Sequence, residues 1–123
     1  MFEAAFAAMS QAGAQAIVIM EHSMFARARQ RLAAMALQRK LPTMSGGRHF
    51  VEAGSLIGYG AFPRELCQRS AGLVDRIVKG AKPADLPVQL ADRFYLVVNL
   101  KTAKALGLTI PPSMLARADQ VIE

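Results

Sequence analysis

Phe94 to Leu100, read as Phe-Tyr-Leu-Val-Val-Asn-Leu, constrains this chain more than any other stretch. It is apolar at nearly every position and rich in aromatic and β-branched residues. That is the composition of a strand covered on both faces, as in parallel α/β sheets. Upstream, a helix closes at Lys79-Gly80, where glycine accepts the left-handed cap conformation. Pro83 and Pro87 then impose an extended connector, because each fixes its own φ and turns the preceding residue away from helix. Downstream, Lys101 to Leu106 reads as a short helix stopped by Gly107, and Pro111-Pro112 opens a last helix. A buried strand feeding a helix is a building unit of α/β folds.

The preceding residues repeat that unit. Phe2, Phe6, Met9 and Gly13 fall at helical spacing, so residues 2–12 read as an amphipathic helix. Ala16 to Met20 is a short strand, and Glu21-His22-Ser23 is the turn after it. Ser23 is a suitable N-cap for a helix over Met24 to Arg39, with Phe25, Ala28, Leu32 and Met35 inward. Leu41 to Met44 reads as a second strand, with Pro42 tolerated at its start. Ser45-Gly46-Gly47 is a loop, and Arg48 to Ala53 makes one or two helical turns. Ser55 to Gly58 is a third strand, followed by Tyr59-Gly60. Pro63 starts a helix to Lys79 whose apolar face carries Leu66, Leu73 and Ile77, broadened by Cys67, Val74 and Val78. Strands alternating with helices predict an α/β fold, a mainly parallel sheet with helices on both faces.

A chain of 123 residues suits one such domain. No apolar run reaches the roughly 18 residues that span a bilayer, so no membrane insertion is expected. The alanine-rich start contains Glu3 and no basic leader, which argues against a signal peptide. The net charge of +6 raises the question of nucleic acid. The densest basic segment, Arg27 to Arg48, has no aromatic interleaving beyond Phe25 and Phe50. A basic balance alone supplies only nonspecific attraction, so no nucleic acid partner is expected. His22 and His49 are the only histidines, and no Cys or acid spacing completes a metal site. No metal or other cofactor is expected. Cys67 has no base partner and reads as a buried structural thiol. No nucleophile-elbow or Ser-His-Asp spacing occurs, so the chain does not read as an enzyme.

In open parallel sheets, ligands bind beyond the C-terminal strand ends. Three stretches fall there: Glu21-His22-Ser23, Ser45-Gly46-Gly47 and Tyr59-Gly60. The carboxylate and imidazole suit an ammonium or hydroxyl. The glycines and Ser45 offer backbone N–H groups to a carboxylate, and Tyr59 offers a ring and a phenol. Glu21 and Ser23 serve equally well as helix-entry chemistry, an acid near a positive N-terminus and a cap. The glycine loop is too short and lacks the Lys of a phosphate-binding loop.

The C-terminal third carries a resemblance. Gly80-Ala81-Lys82-Pro83-Ala84-Asp85-Leu86-Pro87-Val88, then Val98-Asn99-Leu100-Lys101-Thr102-Ala103-Lys104-Ala105-Leu106-Gly107-Leu108, then Ile110-Pro111-Pro112, resembles the end of the ABC-transporter substrate-binding proteins of the tryptophan/tyrosine-type uptake group. It extends over nearly the whole chain, most specifically residues 54–123. The resemblance implies part of a type I periplasmic binding protein, two lobes with ligand in the cleft between them. Residues 1–60 and 93–123 are then second-lobe-like, and 61–92 form the crossover helix and connector. The first lobe is absent, so the chain reads as a fragment.

The resemblance also implies a small-molecule solute such as an amino acid, an ABC permease as partner, and a periplasmic location. It makes Glu21, His22, Ser23, Ser45, Gly46, Gly47 and Tyr59 the ligand-binding candidates. Glu21-His22 departs from the aspartate or asparagine with a small residue that many relatives carry. In the family the Pro63–Lys79 helix packs on the first lobe, so here its apolar stripe implies a homodimer. Two alternatives compete: a stand-alone dimerising interaction module without transport function, and a basic α/β domain that binds nucleic acid.

Overall fold

The computed structural model describes residues 1–123 and contains one five-stranded sheet in the order β1-β2-β3-β4-β5. The strands are β1 Ile17–Ile19, β2 Thr43–Ser45, β3 Ile57–Gly60, β4 Tyr95–Asn99 and β5 Gln120–Ile122. The helices are α1 Phe2–Gln11, α2 Ser23–Arg27, α3 Arg29–Gln38, α4 Arg48–Glu52, α5 Pro63–Val78, α6 Leu100–Leu106 and α7 Pro112–Leu115. A short 3-10 turn covers Pro83–Asp85 in the connector. β1, β2 and β3 run parallel, β4 runs antiparallel to β3, and β5 runs parallel to β4. The expected mainly parallel α/β sheet is therefore present, with one reversal.

Strand alternation sorts the two faces. Ile17 and Ile19 point into a core with Phe6 of α1, Leu32, Met35 and Ala36 of α3, Leu41, and Phe50 of α4. Each large side chain buried here contributes about 1.5–3 kcal/mol. The opposite face carries Val18, Met44, Ile57, Tyr59 and Leu96, and α7 lies over part of it through Pro111 and Met114. Val18, Met44 and Tyr59 stay exposed on that face.

Several boundaries differ from the sequence reading. The Met24–Arg39 helix is two helices, because the Ala28 N–H is shared between the Met24 and Phe25 carbonyls in a tightened turn. β2 starts at Thr43, beyond Pro42, which lends the ladder only its carbonyl, to the Ile17 N–H. β3 starts at Ile57 because the Ser55 N–H closes α4 onto the Phe50 carbonyl. Tyr59-Gly60 consequently belong to the strand and pair with Leu96 and Tyr95. A fifth strand, β5, follows α7, positioned by Asp119, whose carboxylate accepts from the Leu96 N–H at 2.8 Å. Gly107 stops α6 at φ 72°, as expected.

α5 departs most from ordinary globular packing: none of its residues is buried. Leu66, Val74, Ile77 and Val78 are exposed, Val78 at 79%. Cys67 is exposed too, correcting the expectation of a buried thiol. Helical periodicity marked the apolar face correctly, but the chain buries none of it and covers Leu73 only in part.

One polar side chain ties β4 to the helical layer. Asn99 is 5% exposed; its Oδ1 accepts from the Thr102 N–H at 2.9 Å and caps α6. Its Nδ2 donates to the Val51 carbonyl of α4 at 3.0 Å, and Thr102 Oγ1 donates to the Gly54 carbonyl. Asn99→Ala removes a cap and a buried hydrogen bond together, and should cost about 2–3 kcal/mol in denaturant unfolding. A loss below about 0.5 kcal/mol would show that the tie is dispensable.

Candidate functional site

The strand register brings the C-terminal ends of β1, β2 and β3 to one edge: Ile19 pairs with Ser45, and Ser45 with Gly58. An open concavity of about 450 Å³ lies there, lined by Glu21, Gly46, Gly47, His49, Tyr59 and Leu66 among others. A second of about 250 Å³ adjoins it, sharing Glu21, Gly46 and Tyr59 and adding Val18, Met44 and Ser45.

Close backbone approach shapes this edge. A Cβ on Gly60 would stand 1.7 Å from the Gly46 carbonyl oxygen, so only glycine lets the end of β3 meet the loop after β2. A Cβ on Gly47 would meet Glu21 Oε1 at 2.5 Å and His49 Cε1 at 2.6 Å. The Glu21 side chain therefore lies across the glycine loop, with His49 Nε2 3.8 Å from its Oε2. The sequence reading offered this loop to a ligand carboxylate; the structure puts the protein's own carboxylate over it.

The seven candidate residues divide. Glu21, Gly46, Gly47 and Tyr59 line the larger concavity, and Ser45 borders the smaller. Ser45 ends β2, is 2% exposed, and directs its hydroxyl at the Gly47 and Ile57 carbonyls. His22 and Ser23 line neither concavity. His22 is the N-cap of α2, its Nδ1 accepting from the Met24 N–H at 3.2 Å. That replaces Ser23, which opens the helix one position later.

Two further residues belong to this edge. His49 sits two positions beyond the glycine pair, a proximity that was its only mark in the sequence. Phe94 reads as the first residue of a strand, but β4 begins at Tyr95 and leaves Phe94 exposed. Its ring stacks on Tyr59 with centroids 5.7 Å apart and planes at 23°.

The base of α5 walls this edge through Pro63 and Leu66. It is fastened to the returning chain at several points. Phe62 stacks on Tyr95 at 3.8 Å, the Tyr95 hydroxyl donates to Glu65, and Arg93 lies over the Tyr95 ring. Arg69 pairs with Asp92 and donates to the Leu90 carbonyl at 3.3 Å. The hydrogen bond to Glu65 raises the Tyr95 phenol above its ordinary value, and that from Arg69 holds the Asp92 carboxyl below its own. No group of three His, Cys, Asp or Glu side chains is placed to hold a metal ion, and no helix is long and apolar enough to cross a membrane.

The concavity sits at the C-terminal ends of the parallel strands, where open α/β sheets bind ligands. Residues 2–122 match the family model of the ABC transporter substrate binding proteins, and the chain belongs to that family. No curated protein matches it. A conserved domain protein from Vibrio cholerae O1 biovar El Tor superposes with a TM-score of 0.89 at 30% identity, over 96% of this chain and 40% of the other. An ABC domain from Streptococcus pneumoniae, solved in complex with L-Trp, superposes with a TM-score of 0.82 at 31% identity, over 88% and 37%. A ligand-free, open substrate-binding protein with adhesive properties from Clostridium difficile shares the fold, with a TM-score of 0.66 at 20% identity. The chain spans about 40% of the length of these proteins.

Gly60→Ala should cost about 1–3 kcal/mol of stability or displace the Gly46 loop, because the clash is with backbone. Unchanged thermal unfolding with unchanged Gly46 and Gly47 amide resonances would contradict the close approach.

Proposed function

We propose that this chain contributes to capture of a small organic solute, such as an amino acid, in the tryptophan/tyrosine-type uptake group of its family. The solute would pass to an ABC permease, the protein would work in the periplasm, and no chemistry would be performed on the solute. What carries the reading is the concavity where Glu21, Gly46, Gly47 and Tyr59 meet, in a family whose members bind substrates and whose pneumococcal relative holds L-Trp. Glu21, Ser45, Gly46, Gly47 and Tyr59 are the ligand-binding residues in this proposal. His22 and Ser23 set the start of α2 behind them. Residues 1–60 and 93–123 form the solute-binding unit, and 61–92 are a crossover helix and connector.

The concavity is open, and tight binding of a small molecule needs most of its surface enclosed. Isothermal titration of the 123-residue chain with L-tryptophan should therefore give saturable binding weaker than micromolar. Micromolar or tighter affinity would reject the one-walled site, and no saturable binding of any amino acid would reject solute capture by this chain.

The apolar stripe of α5 supports a homodimer as well. Each large side chain left in water there forgoes about 1.5–3 kcal/mol of burial. Two copies packed α5 against α5 about a two-fold axis would cover Leu73, Val74 and Ile77 together. Light scattering at micromolar concentration should give twice the chain mass of 13.3 kDa. Leu73→Glu with Ile77→Glu should return the mass to one chain; a wild-type monomer would reject the pairing.

A further inference from the structure

We propose that the solute this edge selects is an organic cation, held by an ammonium group between the Glu21 carboxylate and the Tyr59 ring. The proposal deepens the solute-capture reading and rests on it. Three observations converge. First, the charged side chain facing the larger concavity is Glu21, and no Lys or Arg lines either concavity at this edge. The only cation source among the lining residues is His49, which already lies 3.8 Å from Glu21.

Second, the anion-binding role that the glycine loop suggests is blocked. Glu21 lies so close over Gly46 and Gly47 that added Cβ atoms would meet it at 2.7 and 2.5 Å. A ligand carboxylate brought to those backbone N–H groups would face a like charge at short range. An ammonium brought to the Glu21 carboxylate above the loop would instead gain charge-assisted hydrogen bonds to that acceptor.

Third, the neighbouring wall is aromatic. Tyr59 and Phe94 stack in an offset pair, and each is 50% exposed, so π-surface is open to the solvent. A carboxylate beside an aromatic face is the combination that recognises ammonium groups, because ring quadrupole and fixed charge both favour a cation. Leu66 and Met20 supply apolar surface for the rest of the solute. Arg117 lines a neighbouring concavity under α7 that shares Met44 and Tyr59 with the smaller one, and it lines neither concavity at this edge. The geometry therefore assigns the ammonium end of the solute to this wall and requires no carboxylate there.

Amide chemical shifts of the 123-residue chain, titrated with matched probes, test this. Phenethylamine carries the ammonium without a carboxylate, and 3-phenylpropionate carries the carboxylate without an ammonium. Phenethylamine should shift the Gly46, Gly47 and Tyr59 amides saturably in the millimolar range. 3-Phenylpropionate should bind at least about tenfold more weakly, and Glu21→Gln should weaken phenethylamine by about tenfold. Glu21 is about half exposed, so the isosteric amide leaves the fold intact. Equal or tighter binding of 3-phenylpropionate, or amine binding unchanged in Glu21→Gln, would overturn the cation assignment. Binding of L-tryptophan without binding of phenethylamine would also overturn it while leaving solute capture standing. No shift from any of the three would reject the site itself.

Discussion

Asn99 is the point on which the rest of the molecule hangs. A strand with Tyr95, Val97 and Val98 buried needs helices packed against it, and packing alone leaves the register of helix on strand loosely defined. A buried amide with two satisfied partners defines it sharply, since shifting either partner leaves polar groups unpaired away from water. Asn99 holds the start of α6 with its oxygen and the end of α4 with its nitrogen. α4 follows directly from the Gly46-Gly47 loop, so the position of the candidate site is set partly from β4, far away in sequence.

The site edge shows a second use of close contact. Gly60 and Gly46 meet backbone to backbone, and Glu21 folds over the loop they make. A chain reader sees Ser-Gly-Gly and thinks of exposed N–H donors. The same glycines here admit a carboxylate, which inverts the electrostatics of the edge. Sequence motifs of this kind report that something approaches closely without reporting its charge.

The four apolar strands were legible because burial demands continuous β-branched and aromatic runs, and Phe94 to Leu100 is the clearest of them. β5 was not, because three residues with Gln120 and Val121 carry no period, and its pairing is set by the bond from the Leu96 N–H to the adjoining Asp119, a contact distant in sequence. The starts of β2 and β3 slid by two residues, because Pro42 has no N–H to give the ladder and the Ser55 N–H closes α4 onto the Phe50 carbonyl. The break at Ala28 left no trace in the apolar stripe. Periodicity showed which side of α5 is apolar, as at Leu73 and Ile77, but exposure depends on what lies opposite. For the site, Glu21, Gly46, Gly47 and Tyr59 followed from their place after strands. His49 and Phe94 did not, since one lies in a helix and the other reads as the first residue of a strand that in fact begins at Tyr95.

The reversal of β4 has a topological consequence. Gly60 and Tyr95 are paired neighbours, so everything from Ala61 to Phe94 begins and ends at one spot on the sheet. In that sense α5 and its connector are an insertion within a β-hairpin. The closure entropy of such an excursion rises only slowly with its length. Its content can be lengthened, shortened or exchanged for a tight turn while β3 and β4 keep their pairing. The sheet pairing and the outer turns of the projecting helix are thereby free to change independently, while Pro63 and Leu66 at its base stay bound to the edge they wall.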